Sequence, residues 1–222
     1  MKLTYLLWGA ELKTNLHDGE LRRALARCGV SELQVNIRDE YVAGAELWFC
    51  TYDTPVDAIV TLRGVEEPDH IAAILRPLAD RLDGFLVDEL TPLPPPRADS
   101  GTRAEALSRI AILRIPPAMT REQWLESWIG DHTPVALANQ ASLAYIQNPV
   151  LAPMTPGGRA DAIVEELFPM AAMSDPHAYW GSDGDDAELE RRCTRMLDSI
   201  SRFGADRDLD VIPTSRYVYS LR

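Results

Sequence analysis

Proton transfer near neutral pH falls first to histidine, and the 222-residue chain has four: His17, His70, His132 and His177. His132 follows Trp124 and Trp128 at steps of four residues and has Asp131 beside it, so a helix there lines an imidazole up with two indoles. A neighbouring carboxylate can fix an imidazole's tautomer, and a histidine at a helix C-terminus can instead simply answer the helix dipole. His17 and His70 fall in turns. His177 lies in DPHAYWGSDGDD, a stretch that reads as a lid or as a surface connection. Glu46 and Glu165 stand inside apolar runs that read as strands, where glutamate is depleted; each is a candidate second proton-transfer group or a salt-bridged strand residue. Tyr145 and Tyr217 could hydrogen-bond a phenol or enolate oxygen, and Arg38 or Arg114 could grip a substrate carboxylate. Trp48, Trp124 and Trp128 could wall an apolar site, although the last two have the spacing of ordinary helix core.

Other chemistries lack their residues. There is no HxH, HExxH or CxxC, and the acidic run Asp183 to Asp186 fits a helix N-terminus better than a calcium loop, so no metal site is expected. GxGxxG, GxxxxGK(S/T) and GxSxG are also missing. A net charge of −12 repels phosphate backbones and anionic membranes, which argues against nucleic-acid or membrane partners. Cys28, Cys50 and Cys193 are scattered, as expected of reduced thiols in a cytoplasm, and the apolar start of the chain is too short for a signal or a span.

The elements that must position these groups fall into two halves. The proline-rich stretch TPLPPPRADSGT separates residues 1–90 from residues 106–222, with 91–105 as linker. The first half reads as strands at Leu3–Trp8, Leu33–Arg38, Glu46–Thr51 and Gly84–Leu90, with helices over Glu20–Cys28 and around Ile71 to Leu82 broken at Pro77. The second half repeats the order. Its strands are Arg109–Ile115, Leu143–Asn148, Ala162–Phe168 and Arg216–Leu221. One helix opens on a Thr120–Gln123 capping box and ends near Gly130, and another carries Leu189, Cys193, Met196, Leu197 and Ile200. Ala45 to Phe49 matches Val164 to Phe168 as a third strand. The expected fold is α+β: two ferredoxin-like βαββαβ halves packed sheet to sheet as a pseudo-dimeric α/β barrel around a central space. Alternation leaves polar faces, as in Gln34, Asn36 and Arg38 or Tyr145 and Gln147, to line solvent or a ligand cavity.

The run from Thr120 to Pro134, with Trp128, His132 and Pro134 in register, the strand Tyr145-Ile146-Gln147-Asn148, and the strand Asp161 to Phe168 resemble, in that order, motifs of the EthD domain family. The resemblance covers Ala106 to Arg222; the first half looks like a diverged copy. Glu166 and Leu167 replace the family's Leu-Trp. It implies a dimeric α/β barrel, a superfamily with cofactor-free lyases, isomerases, cyclases, quinone-forming monooxygenases and haem proteins. Carried over by position, it points to His132, Tyr145, Gln147, Asn148 and Glu165. The expected activity is a cofactor-independent lyase or isomerase moving a proton on a small aromatic, phenolic, polyketide-like or lactone-like acid. A carrier of hydrophobic ligands and a haem- or oxygen-dependent monooxygenase are the alternatives. A homodimer is compatible with either.

Overall fold

A computed structural model describes residues 1–221 as nine strands and seven α-helices. Strands β1 (Lys2–Trp8), β2 (Glu32–Ile37), β3 (Ala58–Arg63) and β4 (Arg81–Val87) form one antiparallel sheet in the order β4-β1-β3-β2. Helices α1 (Leu12–Asn15), α2 (Gly19–Arg27) and α3 (Pro68–Leu75) connect them, and a short 3-10 turn at Arg76–Leu78 takes up Pro77. After a short β5 (Leu90–Leu93), strands β6 (Leu107–Leu113), β7 (Ala144–Pro153), β8 (Ala162–Phe168) and β9 (Asp210–Ser220) repeat the order as β9-β6-β8-β7. Pairing of β2 with β9 and of β4 with β7 joins the sheets edge to edge into a closed antiparallel barrel. Closure leaves no unpaired barrel edge. The expected fold class is the observed one.

The local register differs in several places, among them the start of the expected linker, where Leu90–Leu93 pairs with β7, and the fourth strand, which is Arg81–Val87 rather than Gly84–Leu90. The apolar run from Ala45 to Phe49 is not a strand: the third strand of the first half is Ala58–Arg63, so the match with Val164–Phe168 pairs a loop with a strand. Gly130 does not end a helix. The Thr120–Gln123 capping box opens α4 (Arg121–Leu125), which runs into a π-helical turn over Glu126–His132 and on into α5 (Thr133–Asn139). Pro134 has no N–H to offer the carbonyl four residues back, which disfavours an uninterrupted α-helical ladder through this stretch. The last strand begins at Asp210, six residues before the expected start.

The central space is filled. Leu6, Ile59 and Phe85 from the first half meet Ile110, Ile163 and Ile212 from the second inside the barrel. Outside the first sheet, Leu3, Tyr5, Val35, Val60 and Leu62 pack against Leu12, Leu21, Leu25, Ile71 and Leu75 of the helices. The second sheet is covered by α4, α5, α6 (Pro176–Trp180) and α7 (Asp186–Ser201). Asp185 caps α7 by accepting from the amides of Ala187 and Glu188, so the acidic run is a helix start. No described helix is long and apolar enough to cross a membrane.

Candidate active site

The second half keeps a cleft where the first half has only core. A cavity of about 330 Å³ lies between the outer face of the second sheet and its helices, floored by Arg109, Ala111, Tyr145, Val164, Glu166 and Val211 and roofed by Trp128, His132, Tyr179, Trp180, Met196 and Phe203. Strand alternation explains the floor: Ile110 and Glu165 point into the barrel while their neighbours Arg109 and Glu166 point out.

The π-helical turn brings Trp128 and His132 to the same side, both almost fully buried. Turns of this kind recur at functional sites. The imidazole Nδ1 lies 2.9 Å from Ser199 Oγ. Burial, with the nearby Arg109 guanidinium, pushes His132 down to about 4, so it is neutral at neutral pH. Arg109 donates from Nε and Nη2 to Glu166 and lies over the rings of Phe168 and Tyr179. Gln140, oriented to satisfy its neighbours, accepts from the Tyr179 hydroxyl at 2.7 Å and donates to Glu166 at 3.2 Å. Burial, reinforced by Glu166, raises Tyr145 far above its ordinary range, so its hydroxyl keeps its proton. The site is thus an aromatic-walled cleft with a neutral base, a hydroxyl donor and one neutralised cation.

The other expected residues scatter. Glu165 is on the opposite face, inside the barrel, where it accepts from Gln34 (2.8 Å), Asn36 (2.7 Å) and Ser108 (3.0 Å) and pairs with Arg216 at 3.2 Å. The polar strand faces of Gln34 and Asn36 therefore serve this network rather than a ligand. Asn148 also faces inward, accepting from Lys2 and donating to the Ile163 carbonyl. Gln147 shares the outer face with Tyr145 but binds Thr133 Oγ1 at 3.0 Å and lies outside the cleft lining, with its Oε1 unpartnered. Tyr217 is on the first-half side, bonded to Asp39 and packed edge-on to His17.

Glu46 is a loop residue, not a strand carboxylate. The segment from Glu46 to Tyr52 is a flap over the cleft mouth: Phe49 pairs backbone to backbone with Val211, while Thr51 and Tyr52 amides donate to Asp210. Arg114 fastens it, donating to Thr51 Oγ1 at 2.9 Å and to Asp210 at 2.6 Å, so it is a structural clasp rather than a substrate grip. Leu47 and Phe49 line the cleft although both remain exposed. Trp48 points away, with Arg38 over its ring. His177 bonds Ser182 across the end of α6, the helix that supplies Tyr179 and Trp180.

Arg109, Gln140 and Glu166 have no site role in the sequence reading, and Tyr179 reads only as part of the lid or surface connection DPHAYWGSDGDD. Glu166 stands beside Glu165, which has one, and strand alternation is the available signal for Glu166. Among the described residues, Cys28, Glu67 and His70 bring a possible metal-ligand set together, but Glu67 and His70 are exposed and already form an i,i+3 pair.

No family model matches the chain, and no curated protein matches it in sequence. Solved structures do match its fold. An anthrone oxidase-like protein superposes with a TM-score of 0.60 at 9% identity, covering 99% of this chain and 92% of its own. A candidate monooxygenase from Fusobacterium nucleatum gives 0.51 at 8% identity, covering 99% and 93%. The likeness establishes the α/β-barrel fold; the EthD family itself finds no support beyond the motifs.

Proposed function

We propose that the cleft binds a flat, hydroxylated aromatic ketone with an acidic C–H bond and catalyses its oxidation by dioxygen, starting with proton removal by His132. The observation that carries this reading is the neutral, buried imidazole facing an aromatic-walled cavity with a protonated tyrosine beside it. His132 takes the proton, and the Tyr145 hydroxyl donates to the enolate oxygen. The C–O bond forms at the deprotonated carbon, and the peroxide recovers the proton from His132. Loss of water then breaks the O–O bond and the second C–H bond, leaving a ketone. One dioxygen is consumed, one of its atoms stays in the product and the other leaves in water.

Proton removal is shared with the lyase or isomerase expectation; the fate of the carbanion differs. The names of the two structural neighbours support the oxygen-consuming branch. Haem fits the cleft poorly. Arg109 is the one arginine among the described lining residues and is held by Glu166, so no lining guanidinium is free for a propionate. The test is oxygen uptake by the purified protein with anthrone-type ketones, with labelled dioxygen followed into the product. One labelled atom in the ketone is expected, and His132→Ala should lower turnover by roughly 10²-fold or more. Absence of oxygen uptake across the panel would overturn the reading.

A further inference from the structure

His132 stands between two spaces. The imidazole lines the cleft, but its Nδ1 reaches Ser199 Oγ, and Ser199 lines a second space: an open groove of about 380 Å³ between α5 and α7. Ser199 has no place in the cleft lining, and His132 none in the groove lining. The pair therefore crosses the helical layer. A serine within a helix ordinarily turns to solvent or to a carbonyl of the preceding turn. Here the hydroxyl meets an imidazole instead, although the residue is almost wholly buried.

We infer that Ser199 is a proton relay that connects His132 to the water of the α5–α7 groove while the cleft is occupied by substrate. The inference rests on the proton-removal reading above. An aromatic ligand filling the cleft closes the Nε2 side to water. A proton accepted there would leave an imidazolium beside the Arg109 guanidinium, in surroundings that already disfavour it. The route out is one transfer from Nδ1 to Ser199 Oγ and one from Ser199 to a groove water; Asp198, Arg195 and Arg202 are the charged groups that line the groove. The reverse transfers return a proton, so no charge accumulates over the cycle. Ser199 acts through His132 and is a positioning residue.

Without dioxygen, the carbanion can only be reprotonated. In heavy water, wild-type protein should therefore exchange the acidic C–H of a bound anthrone-type ketone for deuterium, read by mass spectrometry. Ser199→Ala should bind the ketone equally well, by quenching of tryptophan fluorescence, yet exchange it at least about tenfold more slowly, a barrier change of about 1.4 kcal/mol. Ser199→Thr keeps the hydroxyl and should restore exchange. Ser199→Cys, close in size with a weaker donor, should fall between and guards against a folding defect in the alanine variant. Equal exchange by wild type and Ser199→Ala would overturn the relay while leaving the function intact. Absence of exchange by the wild type, with ketone bound, would overturn proton removal itself and the relay with it.

Discussion

Burial disfavours the charged form of both His132 and Glu165, but the cation beside each has a different meaning. Arg109 and desolvation together disfavour the charged imidazole, whereas Arg216 and three donors outweigh desolvation and hold the Glu165 carboxyl below its ordinary range. If His132 is the base, kcat/KM should stay level from neutral pH to about 5 and fall only towards pH 4, where the imidazole takes a proton; a fall centred near 6.5 would contradict this assignment. The same shift makes stability depend on pH. The unfolded chain binds this proton below about 6.5 and the folded chain only near 4, so stability is full above 6.5 and is lost as pH falls towards 4, by about 3 kcal/mol. Urea titrations across that window check it against His132→Phe. For Glu165→Gln the expectation is a loss of about 3–5 kcal/mol, because Arg216 stays buried without its counter-charge, with ligand binding in the cleft retained. The sequence reading takes Glu165 as the site carboxylate of β8, whereas Glu166 is the one that faces the cleft. Both sheet faces of a covered barrel are buried, so alternation of polarity no longer marks inside from outside.

At the scale of elements, the helix of the motif run and the flap show what local pattern can and cannot say. Capping at Thr120, the stripe of α7 and the strand Ala162–Phe168 follow from side-chain types at fixed spacing, and they were legible. The π-helical turn was not, because Trp128 and His132 at four-residue spacing look the same on an α-helix. Nor was the flap: Trp48 and Phe49 have strand-forming side chains, yet Leu47 and Phe49 cover a cleft in another sheet and all three lie largely exposed. Since Phe49 contributes wall but little core, Phe49→Ala should weaken substrate binding about fivefold while shifting folding stability by less than about 0.5 kcal/mol. Arg114→Ala should release the clasp on Thr51 and Asp210. Amide exchange over residues 46–52 should then rise in the free protein, and bound ligand should suppress it; unchanged exchange would show that Arg114 does not hold the flap.

For the whole molecule, the decisive feature is the shared interior. Residues of both halves meet inside the barrel, and the seams β2–β9 and β4–β7 are continuous hydrogen-bonded ladders. Unfolding should therefore be one transition: tryptophan fluorescence, which reports Trp8 in one half and Trp124 and Trp128 in the other, should coincide with circular dichroism through the urea series. Two separate transitions would mean that the halves are energetically independent. The βαββαβ repeat was readable because each half carries its own periodicities, but the filling of the centre depends on pairings between residues over a hundred positions apart, such as Asn36 with Glu165.

The first half has packed shut the place where the second half keeps its cleft, and it lends Leu47 and Phe49 to that cleft. In a symmetric pair of identical chains every substitution is made twice, so a site cannot be closed in one copy and kept in the other. Joined on one chain, the two halves are free to differ: one can serve rigidity and entrance, while the other answers only to the molecule it binds. Substitution tolerance should record that division of labour, with the outer face of the first sheet accepting apolar exchanges of similar volume and the outer face of the second accepting few of any kind.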